Sequence, residues 1–265
     1  MPQRTYAVSG SASGLGAATS QLLIAAGHHV IGIDRTDADV IVDLEQAGDR
    51  DRMVSEIAER CGGVLDGLVV SAGVGGGQHP PERVIRVNYF GAQATLTGLR
   101  PLLAAGTEPR AVVLASIALL SANDVTTQLC LEGAEEAAVA SCAGSGPVAY
   151  AASKRAIATW TQQAATTPEW AGAGIALNAV APGMVRSPMS EYYLGTAEQR
   201  AAVLATSPQP FNGVGEPRDI AELIVWLTGP ANRFVTGQVI FADGGYQAAV
   251  ARDQLPRNAA GVGRF

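Results

Sequence analysis

Apolar runs of strand length alternate with periodic segments of helical length along nearly the whole 265-residue chain. That alternation is the signature of successive strand–helix units around a parallel sheet. The runs Thr5 to Val8, Val30 to Ile33, Val40 to Val42, Gly67 to Val70, Ala111 to Ala115, Ile175 to Ala179 and Gln238 to Phe241 predict seven strands. Helices are predicted over about Leu15 to Ala26, Asp49 to Arg60, Pro81 to Leu103, Val148 to Thr166 and Pro217 to Leu227. These elements consume most of the chain, so one α/β domain is expected over residues 1–265: a doubly wound parallel sheet of seven strands with helices on both faces.

Two stretches break the alternation. Residues 118–146 follow the fifth strand and hold the acidic, alanine-rich run Leu129 to Ala140, which predicts a helical insertion. Residues 184–211 carry Met189, Tyr192, Tyr193, Leu194 and Phe211 among prolines, glycines and serines. Long excursions at strand C-termini in such folds commonly cover a ligand, so this segment is expected to be a lid with an apolar wall.

Composition narrows the function. The net charge of −6 is spread without a long single-sign run, which argues against a nucleic-acid backbone or an anionic membrane as main partner and leaves small molecules. Cys61, Cys130 and Cys142 form no C-x-x-C pair and leave an odd one over, so neither a disulfide framework nor a zinc site is expected. No His, Cys and carboxylate cluster has ligand spacing, and no metal is predicted. The N-terminus offers no signal-peptide pattern and no segment has the ~20 apolar residues of a membrane helix; a cytoplasmic location is the expectation. His28 and His29 are expected in a solvated turn. His79 follows the run Gly75-Gly-Gly-Gln near the presumed cleft, and Trp160 and Trp226 are expected to pack from their helices.

One residue stands out. Of the 18 basic residues only Lys154 is a lysine, which implies a need for a primary amine that a planar, permanently charged guanidinium cannot meet. It stands in Tyr150-Ala-Ala-Ser-Lys154, a spacing that puts phenol and ammonium on one helix face. A phenol of pKa ~10 is a poor base at neutral pH, and a neighbouring cation is expected to lower that value. At the other end of the chain, Ser9-Gly10-Ser-Ala-Ser13-Gly14-Leu15-Gly16 joins the first strand to the first helix. Glycines there let backbone approach a diphosphate, which the helix N-terminus then favours. Asp34 ends the second strand 18 residues beyond Gly16, close to the ~20-residue offset of an acid that binds an adenosine ribose. Such an acid repels a 2′-phosphate and predicts NAD rather than NADP, although Arg35 beside it would attract one. Asp43 ends the third strand, either near an adenine or simply as a helix-entry residue. Ser71-Ala72-Gly73 ends the fourth strand, where a glycine would let backbone meet the cofactor.

These motifs, with Val87-Asn88, Ser116 and Asn178-Ala-Val-Ala-Pro182-Gly183, resemble the short-chain dehydrogenases/reductases over nearly the full length. The resemblance implies NAD-dependent oxidation of a secondary alcohol or reduction of a ketone. In it Tyr150 is the acid/base, Ser116 polarises the substrate oxygen, Lys154 binds the nicotinamide ribose and tunes Tyr150, and Asn88 holds a water in a proton relay. It implies a cofactor set of Ser9, Gly10, Ser13, Gly14, Leu15, Gly16, Asp34, Arg35, Asp43, Leu44, Ser71, Ala72, Gly73, Tyr150, Lys154, Pro182, Gly183, Val185 and Ser187. Val185 and Ser187 would meet the carboxamide, and Met184, Met189, Tyr192 and Tyr193 would join Ser116 and Tyr150 around the substrate. Ser9 stands where the family more often has Thr, and Val70-Ser71 where it has an Asn pair, departures that bear on local structural hydrogen bonds.

Ser116 and Tyr150 lie 34 positions apart, farther than in most of the family, because the acidic insertion separates them. That spacing resembles the bacterial branch acting on hydroxysteroids and carbonyl compounds, whose insertion blocks the usual four-helix packing and leaves a homodimer. A dimer and a bulky apolar substrate are therefore expected. Enzymes for other alcohols, dihydrodiols or xenobiotic ketones, and a non-catalytic NAD(H) sensor, remain the alternatives.

Overall fold

The structure, a computed structural model, describes residues 2–254. Seven strands, β1 (Thr5–Ser9), β2 (His29–Asp34), β3 (Val40–Ile41), β4 (Gly67–Val70), β5 (Arg110–Leu114), β6 (Ala176–Pro182) and β7 (Val239–Ala242), form one parallel sheet in the order β3-β2-β1-β4-β5-β6-β7. The expected strands are all present, with ends shifted by a few residues. β4 and β5 are buried at every position, as befits parallel strands covered on both faces.

The alternation within strands sorts the core. Tyr6 and Val8 of β1 and Val112 and Leu114 of β5 point to one face, where they meet helices α1 (Gly14–Ala25) and, farther along the chain, α10 (Pro217–Thr228). Ala7, Ala111 and Val113 point to the other face, against α2 (Ala47–Arg60) and the long helical segments described next. Each fully buried Leu or Ile there contributes about 1.5–3 kcal/mol of transfer free energy.

Two helical expectations need revision, and the lid adds helices of its own. The helix expected over residues 81–103 is α3 (Pro81–Ile85), one π-helical turn (Arg86–Gly91) and α4 (Ala92–Ala104); a π turn shifts register without disturbing the apolar period, so the pattern hides it. The insertion is two helices, α5 (Asp124–Leu131) and α6 (Glu135–Ser141), rather than one over 129–140. Gly133 at φ 75° ends the first in a left-handed conformation. The segment 184–211 holds α8 (Glu191–Leu194) and α9 (Ala197–Thr206). Helix α7 (Gly146–Ala164) carries Tyr150 and Lys154, α10 (Pro217–Thr228) precedes β7, and α11 (Tyr246–Gln254) follows it. Trp160 packs edge-on against Trp170, whereas Trp226 stands half out of α10 rather than in the core.

The sheet order reverses between β1 and β4, so the connections leaving their C-terminal ends diverge and open a crevice there. The insertion closes against the body through charge. Glu135 accepts from the buried Arg50 at 3.1 Å and pairs with Arg86 at 3.2 Å, and Arg50 also donates to the carbonyls of Leu44, Glu45 and Arg86.

Candidate active site

The crevice is a cleft of about 650 Å³ whose wall runs from Asp34, Asp43 and Arg83 at one end, past Gly10 to Leu15 and Ser71 to Gly76, to Ser116, Tyr150, Lys154 and the 182–190 segment. Sequence dictates its first corner. Gly10 sits at φ 71°, and a Cβ there would stand 2.8 Å from the backbone nitrogen of Ala72. Glycine thus lets the β1 turn and the β4 end touch. Ser13 caps α1 with extended backbone, makes no side-chain cap bond, and leaves no acid in the first turn. The helix N-terminus therefore presents free donors and a positive dipole end to the cleft, which suits a diphosphate.

At the nucleotide end, Asp34 accepts from the backbone N–H of Ala12 at 3.0 Å and of Arg35 at 2.7 Å. Those bonds hold the carboxylate at the cleft edge, facing where ribose hydroxyls would donate. Asp43 sits at the helix entry and on the cleft wall. Its Oδ1 accepts from Glu45 N–H at 3.1 Å in the entry to α2, its Oδ2 pairs with Arg83 at 3.1 Å, and it lines the cleft. Arg83 also binds Glu45 at 2.7 Å.

At the other end, α7 begins with Ser145 as N-cap, its hydroxyl accepting from Val148 N–H, and with Pro147 in the first turn. Tyr150 and Lys154 are one turn apart, the ammonium nitrogen 5.8 Å from the ring centroid. Buried Lys154 donates to Leu114 O at 2.8 Å, tying α7 to the end of β5. Two donors of the amine remain. Ser116, two residues beyond β5, caps a short 3₁₀ turn (Ile117–Ser121) by accepting from Ala118 N–H at 3.2 Å.

Burial decides the electrostatics. It raises the Tyr150 phenol above its ordinary value near 10; the Ser116 hydroxyl opposes that shift and Tyr193 adds to it. Burial likewise pushes the Lys154 ammonium from 10.5 down to about 8. The expectation that Lys154 lowers the phenol is corrected accordingly: burial drives each group toward its neutral form. At neutral pH the amine still carries its proton and the phenol keeps its own. His79 is held below its ordinary value, first by burial and then by Arg83 and Arg35.

Most residues singled out from sequence meet on this wall: Gly10, Ser13, Gly14, Leu15, Asp34, Arg35, Asp43, Leu44, Ser71, Ala72, Gly73, Ser116, Tyr150, Lys154, Pro182, Gly183, Met184, Val185, Ser187, Met189 and Tyr193. Four stand behind or beside it. Buried Ser9 accepts from Ala72 N–H at 3.2 Å and holds the β4 end. Gly16 packs on the Gly10 carbonyl. Asn88, buried in the π turn, spends its carboxamide on Val74, accepting from its N–H at 2.8 Å and donating to its C=O at 2.9 Å. Tyr192 points outward, edge-on to Tyr193.

Sequence reasoning passed over three features. Gly75, Gly76 and Gly77 each accept a different wall: Met189 lies over Gly75, Tyr150 and the Gly146 carbonyl press on Gly76, and the Tyr193 hydroxyl covers Gly77. Three glycines in a row were the available signal. Arg83 and, from α11, Tyr246 and Val250 also line the cleft without any local pattern to announce them. Among the described residues no group of three His, Cys, Asp or Glu is placed to hold a metal ion, and no helix is long and apolar enough to cross a membrane.

Known proteins resemble this chain over most of its length. Residues 4–128 match the short chain dehydrogenase family and residues 134–247 the enoyl-(acyl carrier protein) reductase family; the gap between them falls in the insertion. The 3-alpha-hydroxysteroid dehydrogenase/carbonyl reductase of Comamonas testosteroni is 37% identical over 255 residues, 94% of this chain and 98% of that protein. The cis-4-hydroxycyclohexanecarboxylate dehydrogenase of Sinomonas cyclohexanicum is 32% identical, with 93% and 97% covered. The crystal structure of the 3-alpha-hydroxysteroid dehydrogenase from Pseudomonas sp. B-0831 complexed with NADH superposes with a TM-score of 0.87 at 40% identity, over 95% of this chain and all of that one.

Proposed function

The chain belongs to the short-chain dehydrogenases/reductases, and from that premise we propose that it oxidises a secondary alcohol, or reduces the ketone, on a bulky apolar compound of the hydroxysteroid type with NAD(H). The observation that carries this reading is the single continuous cleft: Asp34 and the glycine turn at one end, Tyr150, Lys154 and Ser116 at the other, and Met184, Met189 and Tyr193 beside them. The likeness to an NADH-bound hydroxysteroid dehydrogenase supports both cofactor and substrate class.

The turn fits the dinucleotide, since Gly10 leaves space where a Cβ would strike Ala72 and the α1 N-terminus offers uncapped donors. Gly10 to Leu15 would hold the diphosphate, Asp34 the adenosine ribose, Leu44 and Asp43 the adenine, and Pro182, Gly183, Val185 and Ser187 the nicotinamide end. When bound, NAD supplies a ring carbon that accepts the hydride, and NADH returns it. In reduction Tyr150 gives its phenolic proton to the ketone oxygen as the hydride arrives; oxidation is the reverse and starts once the phenol has released its own proton to solvent through the cleft, so that it can take the alcohol's hydroxyl proton. Ser116 donates to the oxygen and stabilises its developing charge. Lys154, anchored to Leu114 O, keeps a positive charge beside the phenol and two donors for the nicotinamide ribose. Asn88 fixes the backbone of Val74, four residues beyond the end of β4, on the cleft wall.

We also infer a homodimer. The insertion helices lie over α7 and α3, covering the face a four-helix contact would need, while Phe234, ahead of the outer strand β7, is fully exposed and Trp226 half-exposed. The direct test follows reduced-nicotinamide absorbance when NAD meets a panel of hydroxysteroids and aromatic secondary alcohols. Turnover of a hydroxysteroid is expected. NADH binding with no turnover of any alcohol or ketone would reject the enzyme in favour of a sensor.

A further inference from the structure

Gln209 lies just beyond α9, in the lid, and is buried despite its polarity. Its carboxamide grips one residue of the cleft wall, Met184, at both its N–H and its C=O. Oε1 accepts from Met184 N–H, while Nε2 donates to Met184 C=O at 3.2 Å and to Gly213 C=O. The same Met184 carbonyl accepts from Gly215 N–H at 3.0 Å, and Gly183 N–H donates to Ala242 C=O at 3.0 Å. The segment leaving β6 is thus held between the end of β7 and the lid, with the Gln209 side chain standing in for a missing strand. Gly183 makes the room: a Cβ there would collide with Oε1 of Gln209 and sit 2.8 Å from Cα of Asp243. The requirement for glycine at the cleft therefore comes partly from this amide.

We propose that Gln209 is a positioning residue for the dehydrogenase reaction, setting Gly183 and Met184 at the depth from which they meet the nicotinamide end of the cleft and the substrate. The proposal rests on the function given above. Satisfying all three partners takes one acceptor and two donors in one plane, the carboxamide's own set. A protonated carboxylic acid has nearly the same shape and keeps the acceptor and one of the two donors; a carboxylate has no donor and faces both carbonyls. Burial raises the pKa of a carboxyl, so the switch between those forms falls within an accessible range.

Gln209→Glu is therefore compared with wild type at about pH 5.5 and about pH 8.5, reading NADH affinity by nicotinamide fluorescence, turnover, and melting of the apo protein. At the higher pH the variant is expected to lose about tenfold or more in both affinity and turnover and to melt lower. At the lower pH affinity and turnover should recover about fivefold or more of that loss and the melting point should rise, since the N–H acceptor bond is kept and one of the two donor bonds is re-formed. Gln209→Leu, which cannot be rescued by protonation, should be impaired at both. A Gln209→Glu variant equal to wild type at both pH values, or equally impaired at both, overturns the proposal. If wild type itself neither binds NADH nor turns over, the functional reading fails, while the pH-dependent melting of the apo variant still reports on the clamp.

Discussion

The two ends of the cleft are built on different principles. The catalytic end stands on regular structure: Tyr150 and Lys154 on a 19-residue helix, the amine bonded to the last residue of β5, and Asn88 locking Val74. The lid end stands on helices of four and ten residues with no buried side chain in α9 and only Leu194 in α8. Rigid elements hold groups to the tolerance that proton and hydride exchange demand, while a thinly buried segment can open for a bulky ligand. Chemistry and substrate choice should therefore respond separately to mutation.

The largest expected effect lies at the rigid end. Lys154→Met should lower turnover by about 10²- to 10³-fold. In wild type, the folded-state pKa of Lys154 lies below its ordinary value, so the ammonium is present below about 8 and lost above it. Ketone reduction, which needs that charge and a protonated phenol, should hold its rate up to that point and decline beyond it; Tyr150, raised above its ordinary value, adds no limb in this range. A pH–rate profile for the reduction checks the bend.

A smaller effect is expected at the nucleotide end. Asp34→Ala removes the acceptor held by Ala12 and Arg35, and should reduce the preference for NAD over NADP by about 10- to 100-fold, the worth of a charged hydrogen bond. An unchanged ratio would show that this carboxylate does not face the ribose. The mildest effect belongs to the lid. Met189→Ala, which strips the side chain lying on Gly75, should raise KM for a bulky apolar alcohol by about five- to tenfold while NADH affinity stays constant. A fall in NADH affinity instead would erase the separation between the two ends.

The same divide marks what the sequence made legible. β4 is read to the residue because four consecutive buried apolar positions admit little else, and Tyr150 with Lys154 share a face because helical spacing alone puts them there. The glycine turn and Asp34 are likewise local patterns at the ends of local elements. Gly75 to Gly77, Arg83, Gln209 and Tyr246 matter only through partners far along the chain, so no window of sequence contains their reason. The insertion divided in two because a single glycine, Gly133, adopts a left-handed conformation inside an otherwise helical composition. The expected lowering of the Tyr150 phenol failed for a related cause: spacing reports which groups are neighbours, but desolvation depends on everything packed around them.

The Tyr150→Phe variant provides the most direct test of the proton exchange, because it removes one hydroxyl from a rigid helix and leaves the nucleotide wall intact. Turnover of a hydroxysteroid with NAD should fall by at least about 10³-fold, while NADH titration gives an affinity within about threefold of wild type. Retained turnover, or an equal loss of NADH binding, would contradict the role assigned to that hydroxyl.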